Sequence, residues 1–151
     1  MRKIVIIDDD EIYSENLEYL LNNKGFDVKR FDSTKSIFND LKEYNPNLLL
    51  CDINFLEGIS NEFINNLRKD KFFNNTPIVV ISGDYTIDEI ELLDIGVSEI
   101  FYKPLPFQIA LRVINRLINK QSAYYLASKL FSIIFILPMF IFKFLTKVSS
   151  S

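Results

Sequence analysis

The chain has 151 residues, of which 48% are hydrophobic and 25% are charged, so it can bury a sizeable core and is not an extended disordered chain. It contains one cysteine, Cys51, and no histidine, which excludes an internal disulfide, a cysteine-based metal cluster and any histidine base or metal ligand. The formal net charge of −3 hides an asymmetry, because all 20 acidic residues precede residue 100 and the segment 100–151 is basic.

The predicted strands alternate with helical patterns over the first 120 residues. In chain order the strands are KIVII, FDVKRF, NLLLCD, PIVVIS and EIFY. Although the first strand follows a basic start, only four apolar residues precede the acids, which is too short for a secretion signal. We therefore expect a cytoplasmic protein. Cys51 is expected to be a small core residue of the third strand.

The predicted helices lie between and after these strands. The first begins after Asp10, which is expected to be its N-cap, and stops near Gly25. The second is expected to follow a cap at Asp32 or Ser33 and to end before Pro46. The next two cover the segments after the third and fourth strands, and the last is PFQIALRVINRLINK. Five strand–helix pairs predict a parallel sheet with helices on both faces.

Polar or charged side chains end four of the five predicted strands. Asp8 and Asp9 follow the first strand, Asp52 ends the third, Ser82 ends the fourth and Lys103 follows the fifth. In an open parallel α/β sheet, ligands bind at the carboxyl ends of the strands. Three carboxylates there form a hard oxygen site suited to Mg²⁺, and a carboxylate can act as a nucleophile toward phosphorus.

These residues together resemble the signature set of the response-regulator receiver domain of two-component systems. The residues that carry the resemblance are Asp8, Asp9, Asp52, Ser82, Lys103 and Pro104, with a Leu-Arg pair ending at Arg68. The resemblance covers residues 1–120, which we take as the receiver domain. It implies a flavodoxin-like, doubly wound five-stranded sheet of order 2-1-3-4-5.

The resemblance also implies a chemistry. Asp52 would accept a phosphoryl group from a sensor histidine kinase or a phosphotransfer protein, without the chain being a turnover enzyme. Mg²⁺ would be held by Asp8, Asp9, Asp52 and the Asn54 backbone carbonyl. The phosphoryl oxygens would be bound by Ser82 and Lys103.

A switch region is implied at Gly83, Ile100 and Pro104, with Pro104 following a cis peptide bond. Ile100 departs from the family pattern, which usually has Tyr or Phe there. The loop after Asp52 usually carries Met-Pro in the family and here reads NFLEGISN, with Phe55 and Leu56 in place of that pair. We therefore expect the phosphorylation chemistry to be better preserved than the usual aromatic readout. The alternative is a degenerate receiver that binds partners without being phosphorylated.

Two other classes fit less well. A haloacid-dehalogenase-type phosphatase would need an acidic pair after the lysine, and no acid follows Glu99. A transcription regulator would need an output domain, for which the sequence after residue 120 is too short. We therefore expect a single-domain regulator that does not bind nucleic acid.

Residues 121–151 form a hydrophobic and basic tail. From Leu130 to Phe142 only Ser132 is polar. As a helix this run would span roughly 20 Å, short of a hydrocarbon core of about 30 Å. We expect residues 121–147 to attach the domain to the inner face of the membrane. Packing on a partner protein, self-association as a homodimer, and disorder are the alternatives.

Overall fold

The structure, a computed structural model, describes residues 1–33, 37–53 and 61–131. Its elements alternate strictly along the chain. They are β1 (Arg2–Ile7), α1 (Glu11–Asn22), β2 (Phe26–Phe31), α2 (Phe38–Tyr44), β3 (Leu48–Asp52), α3 (Asn61–Lys69), β4 (Ile78–Ser82), α4 (Glu89–Asp94), β5 (Glu99–Tyr102) and α5 (Phe107–Phe131).

The five strands form one parallel sheet in the order β2-β1-β3-β4-β5, which confirms the predicted flavodoxin-like topology. The register pairs Ile7 with Cys51, Asp52 with Ile81, and Ser82 with Tyr102. The carboxyl ends of β1, β3, β4 and β5 therefore lie side by side. The polar residues that end these strands come together at one edge of the sheet.

Both faces of the sheet are covered by helices. Successive side chains of each central strand point to opposite faces, so each strand contributes to two cores. On one face, helices α2, α3 and α4 contribute Leu41, Ile64, Leu67 and Leu92 to the core. On the other face, α1 and α5 contribute Leu17, Leu21, Ile114 and Ile118. The central strands β3 and β4 consequently consist of apolar residues up to the polar residue that ends each of them, as expected for a parallel sheet covered on two sides.

Cys51 is fully buried in this core, as predicted. Burial raises the pKa of its thiol to about 12, since the thiolate cannot be solvated there. The thiol is therefore protonated at physiological pH and acts as a small apolar side chain.

The helix ends agree with the sequence prediction at α1 and differ at α2. Asp10 is the N-cap of α1, and its side chain accepts a hydrogen bond of 2.9 Å from the Tyr13 amide. The prediction that Asp32 or Ser33 caps α2 is wrong. This helix begins at Phe38 with Ile37 at the N-cap position and no capping side chain, because buried Ile37 and Leu41 hold its first turn against the core.

The chain divides into two units, Met1–Ile118 and Asn119–Ser151, and the predicted boundary after residue 120 stays a prediction. In the second unit the structure describes helical residues up to 131. Four large apolar or aromatic side chains there are mostly exposed: Tyr124, Tyr125, Leu126 and Leu130. Within the described ranges, none of the helices is both long enough and apolar enough to cross a bilayer.

One guanidinium joins the loops that precede β4 and β5. Arg68, near the end of α3, donates to the backbone carbonyls of Phe73 (3.0 Å), Thr76 (2.9 Å) and Gly96 (2.7 and 3.1 Å). Gly96 has a φ of +104°, and a Cβ at this position would lie 2.7 Å from Arg68 Nε. The glycine therefore provides both the left-handed backbone and the space that the guanidinium occupies.

Replacing Arg68 by methionine should destabilise the domain by about 2–4 kcal/mol, because buried carbonyls lose their charged donor. Urea unfolding followed by circular dichroism measures this loss. Lys69→Met is the matched control, since Lys69 is the exposed neighbour on the same helix. Equal free energies of unfolding for the two variants would contradict this role of Arg68.

Candidate functional site

Three acids and one lysine meet at the carboxyl edge of the sheet. Lys103, which follows β5, places its Nζ 2.7 Å from Asp52 Oδ2 and 3.2 Å from Asp8 Oδ2. Carboxylate oxygens of Asp8, Asp9 and Asp52 all lie within 4.8 Å of one another. The fold therefore brings together four of the residues that the sequence singled out, from three different strand ends.

The acidic run after β1 has three different environments. Asp8 is 4% exposed, and its Oδ1 accepts a hydrogen bond of 2.9 Å from the Asp10 amide. Asp9 is exposed, and Asp10 is occupied as the N-cap of α1. Asp52, at the end of β3, is 6% exposed. Only Asp8 and Asp9 of this run thus face the site together with Asp52.

Burial of the Asp8 side chain raises its pKa from the ordinary value of 3.8, and the nearby Asp52 charge adds to the rise. The Asp10 amide and the Lys103 ammonium act in the opposite direction but do not outweigh burial. Burial also lowers the pKa of Lys103, yet its hydrogen bond to Asp52 and the charges of both carboxylates raise it overall. Lys103 is therefore a firmly charged cation between two buried acids.

The donor set fits a hard divalent cation. The three carboxylates and the single ammonium leave a formal charge of minus two, which one Mg²⁺ would cancel. Oxygen ligands that belong to clustered carboxylates are those Mg²⁺ prefers. The fourth predicted ligand, Asn54, lies outside the described residues.

Ser82 ends β4 directly beside the site, and its side chain is fully buried. Its hydroxyl donates to the Asp84 carbonyl (3.1 Å) and accepts from the Asp84 amide (2.9 Å). The Lys103 amide donates to the Ser82 carbonyl over 2.7 Å, which joins β4 to the lysine. Gly83 follows at the exposed turn, and the Lys103–Pro104 bond is cis, as the resemblance implied.

Ile100 does not face this cluster. It is half-buried and packs against the core on the α2–α3–α4 face. The aromatic group nearby is instead a stacked pair, exposed Tyr85 and half-buried Tyr102, with ring centroids 4.8 Å apart. Tyr85 donates to the Lys103 carbonyl (3.0 Å), and Tyr102 donates to Glu89 (2.5 Å).

Sequence reasoning missed two aromatic residues at this edge. The Tyr13 ring lies with its centroid 4.1 Å from Lys103 Nζ, and Tyr85 lies in the loop after β4. No helical spacing relates Tyr13 to Asp9, because Asp9 precedes the N-cap Asp10 and lies outside α1. No periodicity marks Tyr85 either.

Comparison with known proteins gives one consistent family. The family model described as "Response regulator receiver domain" matches residues 4–115. The cell cycle transcriptional regulator CtrA of Caulobacter vibrioides is 28% identical over 103 residues, which cover 68% of this chain and 44% of the relative. The chain thus spans less than half the length of the curated relative it matches.

Solved structures agree with the fold. A CheY-like receiver domain protein from Methanospirillum hungatei superimposes with a TM-score of 0.74 at 18% identity, covering 82% of this chain and 98% of the other. The beryllofluoride-activated NtrC4 receiver domain dimer gives a TM-score of 0.72 at 19% identity, covering 80% and 99% respectively.

Without a divalent cation, Asp8→Asn should unfold at a higher urea concentration than the wild type at neutral pH. The raised pKa means that ionised Asp8 costs stability above that pKa, and the cost disappears as the pH falls through it. The difference between the two proteins should therefore shrink in acid. Urea titrations at a series of pH values measure it.

Added Mg²⁺ should make the wild type more stable to urea than Asp8→Asn. At ten times its Kd the cation would stabilise the wild type by about 1.4 kcal/mol, and the variant by less. Asp9→Asn is the control for the measurement without Mg²⁺, since it removes an exposed instead of a buried carboxylate from the same cluster. A wild type that is already the more stable protein at neutral pH without Mg²⁺ would refute this account of Asp8.

Proposed function

This chain belongs to the response regulator receiver domain family, and on that basis we propose that it is a phosphoryl-accepting signalling domain with Asp52 as its phosphoacceptor. One observation carries the proposal: a buried carboxylate at a strand end lies 2.7 Å from a lysine ammonium and beside two further acids. Such a cluster combines a nucleophile with the charges that phosphoryl transfer requires.

The proposed step is a displacement at phosphorus. An Asp52 oxygen attacks the phosphoryl group of a phosphorylated histidine on a sensor kinase or phosphotransfer protein. The aspartyl O–P bond forms as the P–N bond breaks, and the electron pair stays on the donor nitrogen, whose ring gains a proton. The Lys103 ammonium, already at Asp52, pairs with the transferred oxygens.

The acids around Asp52 have a separate task. Asp8, Asp9 and Asp52 would hold Mg²⁺, with the Asn54 carbonyl as a further ligand outside the described residues. When bound, the cation supplies positive charge that offsets the carboxylates and the phosphoryl oxygens. Hydrogen bonds from the Asp10 amide and Lys103 hold the buried carboxylates of Asp8 and Asp52 in place.

The switch would start at Ser82. Its hydroxyl donates a hydrogen bond to the Asp84 carbonyl and accepts one from the Asp84 amide. If the hydroxyl donated to a phosphoryl oxygen instead, Gly83 and the following loop would move. Ile100 and Pro104 would adjust with β5. The stacked Tyr85–Tyr102 pair bridges this loop and β5, so it would transmit the change.

Phosphorylation is tested on the full chain, kept in mild detergent because of its apolar C-terminal segment. With Mg²⁺ and phosphoramidate, intact mass spectrometry should show the gain of one phosphoryl group. Asp52→Asn should reduce the modified fraction to background, because the nucleophile is gone. Asp94→Asn is the matched control, since it neutralises an exposed acid on α4.

Chelation of Mg²⁺ should have the same effect as Asp52→Asn. If the wild type gains no phosphoryl group where a known receiver is modified, the chain is the degenerate, phosphorylation-independent binding module instead. Modification that persists in Asp52→Asn would place the phosphoacceptor elsewhere.

A second proposal concerns the segment after residue 118. Tyr124, Tyr125, Leu126 and Leu130 are mostly exposed on the described part of α5. The sequence then continues through an apolar run that is followed by Lys143 and Lys147, with no acid after Glu99. We propose that residues 121–147 attach the domain to an anionic membrane surface, by burial of the apolar residues and attraction of the lysines.

Flotation with phosphatidylcholine vesicles, with and without phosphatidylglycerol, tests this attachment. Lys143→Glu with Lys147→Glu should weaken binding to the anionic vesicles at least about thirtyfold, because each lysine contributes about 1 kcal/mol near such a surface. The control pair is Lys24→Glu with Lys71→Glu, which changes the net charge equally at exposed positions of the receiver unit. If the chain floats with neither kind of vesicle and sediments as a homodimer, the membrane proposal is contradicted, and the segment binds a second copy of the chain instead.

A further inference from the structure

We propose that Tyr13 is a positioning residue for phosphoryl transfer, because its aromatic ring holds the Lys103 ammonium beside Asp52. The inference rests on the proposed role of Asp52 and extends it to a residue of α1. Tyr13 lies in the first turn of that helix, and its ring centroid is 4.1 Å from Lys103 Nζ.

The lysine head group is held on three sides. Asp52 and Asp8 accept hydrogen bonds from Nζ at 2.7 and 3.2 Å, and the Tyr13 ring lies beside the same nitrogen. A lysine ammonium is a point charge on a flexible stem, so its position depends on what surrounds it. The negative face of an aromatic ring attracts such a cation, most strongly where water is excluded.

The ring is the contact that would persist through the reaction. The two carboxylates also belong to the cluster that suits a divalent cation, so their oxygens would be shared between that cation and Lys103. A hard cation binds oxygen ligands and would not bind the aromatic ring. Tyr13 would therefore hold Lys103 in place when Asp8 and Asp52 gain other partners.

The acidic run itself fixes the ring. The Tyr13 amide donates to the Asp10 side chain over 2.9 Å, and the ring packs against the core formed by α1, α5 and the sheet. Within the described residues, the buried Tyr13 hydroxyl has no hydrogen-bond partner. The ring and not the hydroxyl is thus the functional part, and phenylalanine should replace it.

The contact is tested by nuclear magnetic resonance, independently of phosphorylation. An aromatic ring this close shifts the signals of the Lys103 ε-methylene group, which Lys103→Arg identifies by its loss. We expect the shifted signal in the wild type and in Tyr13→Phe, and an ordinary position in Tyr13→Leu. An unshifted signal in the wild type would overturn the proposal.

The consequence is tested by the rate of phosphorylation with Mg²⁺ and phosphoramidate. Tyr13→Leu should lower this rate about three- to thirtyfold, and Tyr13→Phe should restore it. Tyr19→Leu is the matched control, because it makes the same change at an exposed position of the same helix. Circular dichroism checks folding, and Tyr13→Met substitutes for Tyr13→Leu if the latter does not fold.

The outcomes separate the two proposals. A wild-type rate in Tyr13→Leu, or equal losses in Tyr13→Leu and Tyr13→Phe, would overturn the role of the ring. If the wild type itself is never modified while the ring shift is present, the phosphoacceptor proposal fails and Tyr13 holds a lysine without this chemistry.

Discussion

The ion pair between Lys103 and two buried carboxylates is the constraint around which the functional end of this domain is organised. Asp52 and Lys103 are 51 residues apart in the chain, and Asp8 and Lys103 are 95 apart. Only the parallel sheet brings them together, since β1, β3 and β5 end at the same edge. Placing acids there costs stability, so the layers on both faces of the sheet must supply the difference.

Much of this arrangement could be predicted from the sequence, because the apolar runs and the polar residues that bound them indicate where the strands lie. Once the apolar runs are recognised as parallel strands, Asp8, Asp52 and Lys103 are expected at one edge of the sheet, and the order 2-1-3-4-5 that the resemblance implied brings them close together. Contacts that depend on backbone groups could not be predicted. The partners of Arg68 are carbonyl oxygens, which every residue has, so no sequence pattern indicates them. The start of α2 was missed because the core, and not a capping side chain, sets it.

The aromatic residues near the site show a related limit. The sequence identifies Ile100 as a departure from the family pattern, and the structure gives the reason that it is tolerated, since the side chain packs against the core. Aromatic surface is instead present at Tyr85 and Tyr102, which contact each other across a loop and a strand. Such a pair is visible only when two distant segments are placed in space. A substitution that looks like a loss at one position can thus accompany a different contact nearby.

Cys51 has a practical consequence for watching this domain at work. It is the sole cysteine of the chain, it is fully buried, and its thiol has a pKa of about 12. A thiolate is the form that reacts with maleimides and methanethiosulfonates. The Cys51 thiol therefore does not react with these labelling reagents in the folded protein. A cysteine introduced on the loop after β4 would therefore carry a fluorophore or spin label alone. The native protein is ready for such single-site spectroscopy without removal of its own thiol.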